Sequence, residues 1–309
     1  MKKLILTFLV TLFISPVCFA SDNYIAYASN SLKKTRQQNQ TLEKEVKATL
    51  KQQIQYTNSY NAEGLKTLYS NNYLNSDGFD KSMYFDLINK TWKLYPDIKY
   101  LMNIKDINIV GNTAIATVSE YASATTKEKV DETEITGYLK SNSDCLYYLE
   151  KVGDKWLITA DGIINEKTML TYGEASEVKF ELIVPQLVPA NKEYTASLNV
   201  SVPDKKMLVI ASIGQEKITY PHVNATEVYR KLPESGILER VFKANKDNLN
   251  EYTVASIGVT RARVTPDKQI KIVVTGLGYV ITRTNVIPAR DFSKVEVNGK
   301  KETTAKLVD

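Results

Sequence analysis

From Ile98 onward apolar and polar residues alternate with a period of two, and glycine-containing steps interrupt the alternation. Successive strand side chains point to opposite faces, so the pattern commits most of the chain to antiparallel sheet with one face buried. Ile107 and Ile109 lead into Gly111 and Asn112, and the chain returns through Ala114, Ala116 and Val118 opposite Ile115, Thr117 and Tyr121. That spacing predicts a hairpin on a two-residue turn. A second hairpin is predicted from Thr133 through Tyr138, Cys145, Tyr147 and Leu149 to a Gly153-Asp154 turn, returning through Trp156, Ile158 and Ala160 towards Thr171. Asn142, Ser143 and Asp144 interrupt its outgoing strand and predict a bulge or bend.

The chain changes character between Thr171 and Val178, where Gly173, Glu174, Ala175 and Ser176 form a short polar break. Beyond it, strand-like runs cover Val178 to Val184, Tyr194 to Val202, Met207 to Ile213, Ile237 to Ala244, Tyr252 to Val264 and Ile270 to Thr284. Runs at this spacing predict a β-sandwich over 177–290. Asp247, Asn250 and Tyr252 predict a tyrosine corner, with the Tyr252 hydroxyl returning a hydrogen bond to the turn. An interior disulfide and a strand tryptophan are absent from this stretch, so an Ig-like topology rests on the pattern alone.

Before Ile98 the period is helical. Leu42, Val46, Leu50 and Ile54 recur every four residues from Thr41, with lysine and glutamine on the other side. Asn61 caps a short second helix carrying Leu65, Leu68 and Tyr69. A third, from about Asp80 to Tyr95, carries Met83, Leu87, Thr91 and Leu94 beside Tyr84, Ile88, Trp92 and Tyr95, and Pro96 ends it.

The first twenty residues run from Lys2 and Lys3 through an apolar stretch, Leu4 to Ile14, to Cys18, Phe19 and Ala20. This is the order of a cleavable signal peptide, and the stretch is too short to span a bilayer. The expected mature protein therefore acts outside the cytoplasm: periplasmic, secreted or attached to the cell surface. Residues 21–40 are a polar lead-in, either loosely ordered or the frayed start of the first helix, and the tail 291–309 is polar. Without the signal one cysteine is left, Cys145, which excludes an intramolecular disulfide. The formal net charge falls from +5 to +3 once Lys2 and Lys3 are removed, with no basic block, so neither nucleic acid nor an anionic membrane is an expected partner.

Residues 41–172 resemble the nuclear transport factor 2-like, or SnoaL-like, superfamily. The resemblance rests on the helix order, the Leu65 to Tyr73 segment ahead of the third helix, the Gly111-Asn112 hairpin and the run Gly153-Asp154-Lys155-Trp156-Leu157-Ile158. It covers less than half the chain and implies a cone whose helices and curved sheet enclose a pocket. The expected fold is thus α+β, a cone-like domain of helices on a curved antiparallel sheet followed by an all-β sandwich. Members of the superfamily include isomerases, dehydratases and non-enzymatic binders, so the fold does not select a function.

The chemistry is narrowed by what the first half lacks. The sole histidine, His222, lies beside Pro221 in the second half, so no imidazole base or metal ligand serves the first. A carboxylate base with a tyrosine donor, as in ketosteroid isomerase, is open to Asp161, Glu120 or Asp144 with Tyr121, Tyr138 or Tyr148. The competing reading is that the nineteen tyrosines are mostly sheet and core residues. Cys145 reads as a buried, inert thiol. Glu128, Asp131, Glu132 and Glu134, alternating with Lys127 and Lys129, read as a solvated hairpin edge, and Gly276 and Gly278 as strand residues. No cofactor or metal is expected. The leading expectation is an exported, non-enzymatic binding or scaffold protein of the bacterial cell envelope, partnered by an envelope protein or a small apolar ligand. The alternatives are a pocket enzyme, an isomerase or lyase acting on a small apolar substrate, and an adhesin-like surface component.

Overall fold

The computed structural model describes residues 22–130, 133–204, 206–223, 228–264, 266–289, 295–297 and 300–302. The expected signal, residues 1–20, and Asp131 and Glu132 of the acidic run lie outside the described residues. The chain divides into two units, 1–44 and 45–309, and every strand and the cavity described below belong to the second.

Helix α1 (Asp22–Asn58) begins well before Thr41, so of the two readings of the lead-in the start of the first helix is the one found from Asp22. Among its described side chains Val46, Leu50, Gln53 and Thr57 are buried and Ile54 is not. A strict four-residue repeat drifts about 40° per step round a helix of 3.6 residues per turn, so burial follows steps of four, three and four instead. Helix α2 (Ala62–Lys66) is capped by Asn61, whose Oδ1 accepts from Gly64 N at 2.8 Å. Helix α3 (Lys81–Leu94) starts where Asp80 Oδ1 accepts from Met83 N at 2.9 Å. Phe85 and Trp92 are its buried residues, and Leu94 is exposed.

Four long strands follow: β1 (Lys99–Val110), β2 (Thr113–Val130), β3 (Thr133–Val152) and β4 (Lys155–Gly173). Val110 pairs Thr113 across Gly111-Asn112, and Val152 pairs Lys155 across Gly153-Asp154, both as predicted. Gly111 and Gly153 take φ near +60°, which glycine adopts without a Cβ penalty. Then come a turn of 3₁₀ helix (Glu174–Glu177), β5 (Lys179–Ile183), β6 (Leu187–Pro189), β7 (Glu193–Ser201), β8 (Met207–Lys217), β9 (Arg230–Lys231), β10 (Ile237–Lys243), β11 (Glu251–Val264) and β12 (Ile270–Ile287). A last pair, β13 (Val295–Val297) and β14 (Lys300–Glu302), lies within the expected polar tail.

The fold is mostly β-sheet with a few helices. One sheet runs in the order β1-β2-β3-β4-β12-β11-β8-β9, and a separate sheet has the order β10-β7-β5. The large sheet passes through the polar break, because Lys167 to Gly173 of β4 pair with Thr282 to Gly276 of β12. Gly276 allows this: a Cβ there would stand 2.3 Å from Ala175 N in the 3₁₀ turn. Phe180, Leu198 and Phe242 of the small sheet share one buried core with Ile213, Ile257 and Val280 of the large one. Among the described residues no helix is long and apolar enough to cross a membrane.

Candidate functional site: a carboxylate and tyrosine cavity

The inner face of β1 to β4 is set by cross-strand register. Ala116 pairs Tyr147, Val118 pairs Cys145, Glu120 pairs Ser143 and Ala122 pairs Ser141, so these side chains share the face towards the helices. Ala122, Ser141 and Ser143 are small, and where they meet the sheet leaves a cavity of about 210 Å³. Glu120, Asp161, Glu166, Tyr84, Tyr100 and Tyr147 stand round it.

Two register shifts in β4 decide which acids enter. Tyr148 pairs Ala160 but Leu149 pairs Ile158, leaving Thr159 as an extra residue; Asp144 pairs Asn165 but Cys145 pairs Ile163, leaving Ile164 extra. Each bulge reverses the alternation. Ile158 is therefore followed inward by Asp161, not Ala160, and after Ile163 the second bulge brings Glu166 inward. The bend expected at Asn142 to Asp144 is real, but its extra residue lies on the facing strand.

Residues 68–76 extend this edge of the sheet. Ser70 N donates to Ile158 O and Ile158 N to Leu68 O, both at 2.8 Å, and Ser76 N donates to Asp161 O at 2.8 Å. The segment places Tyr73 so that its hydroxyl donates to Asp161 Oδ2 at 2.5 Å. The rings of Tyr69, Tyr73 and Tyr84 pack with centroids 5.0 to 5.4 Å apart. Asn58, near the end of α1, clasps the start of β1: its Nδ2 donates to Tyr100 O and its Oδ1 accepts from Tyr100 N, both at 2.8 Å.

The carboxyls feel enclosure first. Burial raises Glu120 to about 7, helped by the charges of Asp161 and Glu166 and opposed by the Tyr147 hydroxyl, which donates to Oε1 at 2.7 Å. Burial raises Asp161 to about 6, with Tyr73 opposing. Glu166 is raised by burial and accepts from Tyr252 Oη at 2.9 Å. Burial also holds Tyr69, Tyr73, Tyr84 and Tyr147 well above the ordinary phenol range, so all four are neutral donors near pH 7. The Cys145 thiol is pushed up by burial and its Sγ donates weakly to Ser143 Oγ at 3.5 Å.

The sequence candidates are divided by the pleat. Asp161 and Glu120 line the cavity together. Tyr121 borders it from the opposite parity of β2 and is half exposed. Tyr138 and Tyr148 have the parity opposite to Tyr147, are exposed and are not in the cavity wall. Asp144 is held by Lys105 Nζ at 2.6 Å, Ser119 Oγ at 2.5 Å and Asn165 Nδ2 at 2.9 Å, which lower it to about 2. Tyr73, Tyr84, Tyr100, Tyr147 and Glu166 join the site without a motif in the sequence that marks them. For Tyr147 a signal existed, because it shares parity with Leu139, Cys145 and Leu149, all buried.

In the second half, Tyr252 reaches Glu166 rather than its own turn. The corner is built instead on buried Glu251, whose carboxylate accepts from Asn245 N at 2.9 Å and Gln215 Nε2 at 2.6 Å. His222 Nε2 lies 2.9 Å from Glu216 Oε2. Lys127 pairs Glu134 at 2.8 Å on the exposed hairpin edge. Among the described residues no group of three or more histidine, cysteine or acidic side chains could hold a metal ion.

No family model matches the chain, and no curated protein matches it. Solved structures similar to part of it include a conserved protein from Planctomyces limnophilus, 12% identical over 40% of this chain and 94% of that one, with a TM-score of 0.35. A putative scytalone dehydratase from Novosphingobium aromaticivorans is 12% identical over 40% and 84%, with a TM-score of 0.35. A putative dehydratase from the NTF2-like family from Streptomyces avermitilis is 10% identical over 40% and 98%, with a TM-score of 0.31. The similarity lies in the first part of the chain.

Proposed function

We propose that the cavity is a small-molecule site and that the protein is a proton-transferring pocket enzyme of isomerase or lyase type. The observation that carries this is the Glu120 and Tyr147 pair facing an open volume of about 210 Å³. A scaffold would be expected to fill such a space with its own side chains. A general base works best when its pKa lies near the working pH, and Glu120 at about 7 meets that condition. With Tyr147 on Oε1, the other carboxyl oxygen is the one a substrate proton would meet. Asp161 with Tyr73 supplies a second carboxyl nearby, able to return a proton elsewhere on the substrate.

The test is proton exchange at carbon. Small ketones and hydroxycarbonyl compounds in D2O, followed by proton NMR, should lose signal at the carbon next to the carbonyl in the presence of the protein and keep it with Glu120→Gln. Exchange that survives Glu120→Gln, or exchange in none of the compounds, counts against the proposal.

Two further readings belong with it. The sandwich reading of the second half is supported by the core shared between the small and large sheets, and independent folding of 177–290 would test it. Export is supported by the order of residues in Met1 to Ala20; a mature protein beginning at Ser21 on amino-terminal sequencing would bear it out, and an intact Met1 would sink it.

A further inference from the structure

We infer that the cavity is shaped for a small organic cation, an amine or quaternary ammonium head. This rests on the reading of the cavity as a small-molecule site and names the ligand class it would take.

The wall combines two features with one preference. Glu120, Asp161 and Glu166 bring three carboxyls to a single cavity. Tyr84, Tyr100 and Tyr147 add aromatic rings, whose negative faces attract cations, most strongly where water is excluded. Among the described residues no lysine, arginine or histidine lines the cavity. Arg283, the cation whose charge reaches Asp161 and Glu166, is fully buried and gives Nη1 and Nη2 to Asp77.

Other occupants fit less well. An anion would add to the mutual repulsion of the three carboxyls and find no opposite charge in the wall. A bare metal ion needs oxygens converging on one point, and among the described residues no acidic group is gathered closely enough for that. Carboxyls spread round a space of about 210 Å³ suit a charge that is itself spread over several atoms. Burial holds the three acids above their ordinary values, and a bound cation would relieve that cost.

The test uses the full chain and two probes of one shape, choline and its uncharged carbon isostere 3,3-dimethylbutan-1-ol, titrated by calorimetry at pH 8. Choline should bind at least about tenfold more tightly than the alcohol, the scale of a desolvated cation over aromatic rings. Glu166→Gln and Glu120→Gln should each remove that preference; two variants are used so that one failing to fold leaves the other. Equal binding of both probes overturns the cation assignment and leaves the pocket reading standing. No heat with choline or tetramethylammonium also overturns it. Preferential choline binding by a protein that exchanges no carbon-bound proton upholds the ligand class and sinks the proton-transfer reading.

Discussion

Arg283 Nη1 and Nη2 reach the two oxygens of Asp77, 206 residues away in sequence, at 3.0 and 2.5 Å. The Arg283 side chain is fully buried and that of Asp77 is 6% exposed, and Asn250 Nδ2 donates to Asp77 Oδ1 at 2.8 Å. Removing one partner strands a charge away from water. Asp77→Asn or Arg283→Met should therefore cost about 3 to 5 kcal/mol in chemical denaturation. The double variant should cost less than the two single losses combined; additive losses would mean the pair is not coupled.

Glu120 should make stability fall as pH rises. Its folded value, about 7, exceeds the ordinary glutamate value of 4.5, so the native state holds a proton the unfolded chain releases. That stabilisation is complete below pH 4.5 and is lost as pH climbs through 7, by up to about 3 kcal/mol. Asp161, raised to about 6, acts with the same sign. Denaturation midpoints at pH 5 and pH 8 should differ less in Glu120→Gln than in the wild type, and an unchanged difference would refute the assignment.

Tyr147→Phe removes the hydroxyl that lowers Glu120, so the carboxyl should titrate at higher pH. In any reaction or ligand binding that needs Glu120 ionised, the rising limb of the pH profile should move upward. Tyr148→Phe, one residue along on the exposed face, should leave that limb in place.

Asp144→Asn should be a stability variant without a cavity phenotype. It loses charge-assisted bonds from Lys105 Nζ and partners at Ser119 and Asn165, which predicts a cost of about 1 to 2 kcal/mol. Because the folded value is lowered to about 2, that contribution is present above the ordinary value of 3.8 and disappears as pH falls towards 2. Choline titration of the folded variant should match the wild type.

Strands and hairpin turns were readable because period two and glycine at φ near +60° are local properties. All six strand runs of the second half form strands, within a few residues of the expected ends. What local pattern could not supply is parity across a bulge. Thr159 and Ile164 look like ordinary strand residues, yet each reverses every side chain after it, and the face that Trp156, Ile158 and Ala160 appeared to share ends at Ile158. Asp161 was reachable by residue type and Tyr147 by its parity with Leu139, Cys145 and Leu149, whereas Glu166 depended on register across the bulges. The Asp77 and Arg283 pair left no trace in sequence, since nothing near either residue names a partner so distant.

The ladder between Lys167 to Gly173 and Gly276 to Thr282 has a mechanical consequence. A pull on β12 is borne by the strand that carries Asp161 and Glu166, with no slack linker between to absorb it. Tension, a partner gripping the far strands, or a destabilising change among them would be transmitted to the cavity wall as strain. The strands after the polar break thus act as a frame that holds the cavity's acids in tune.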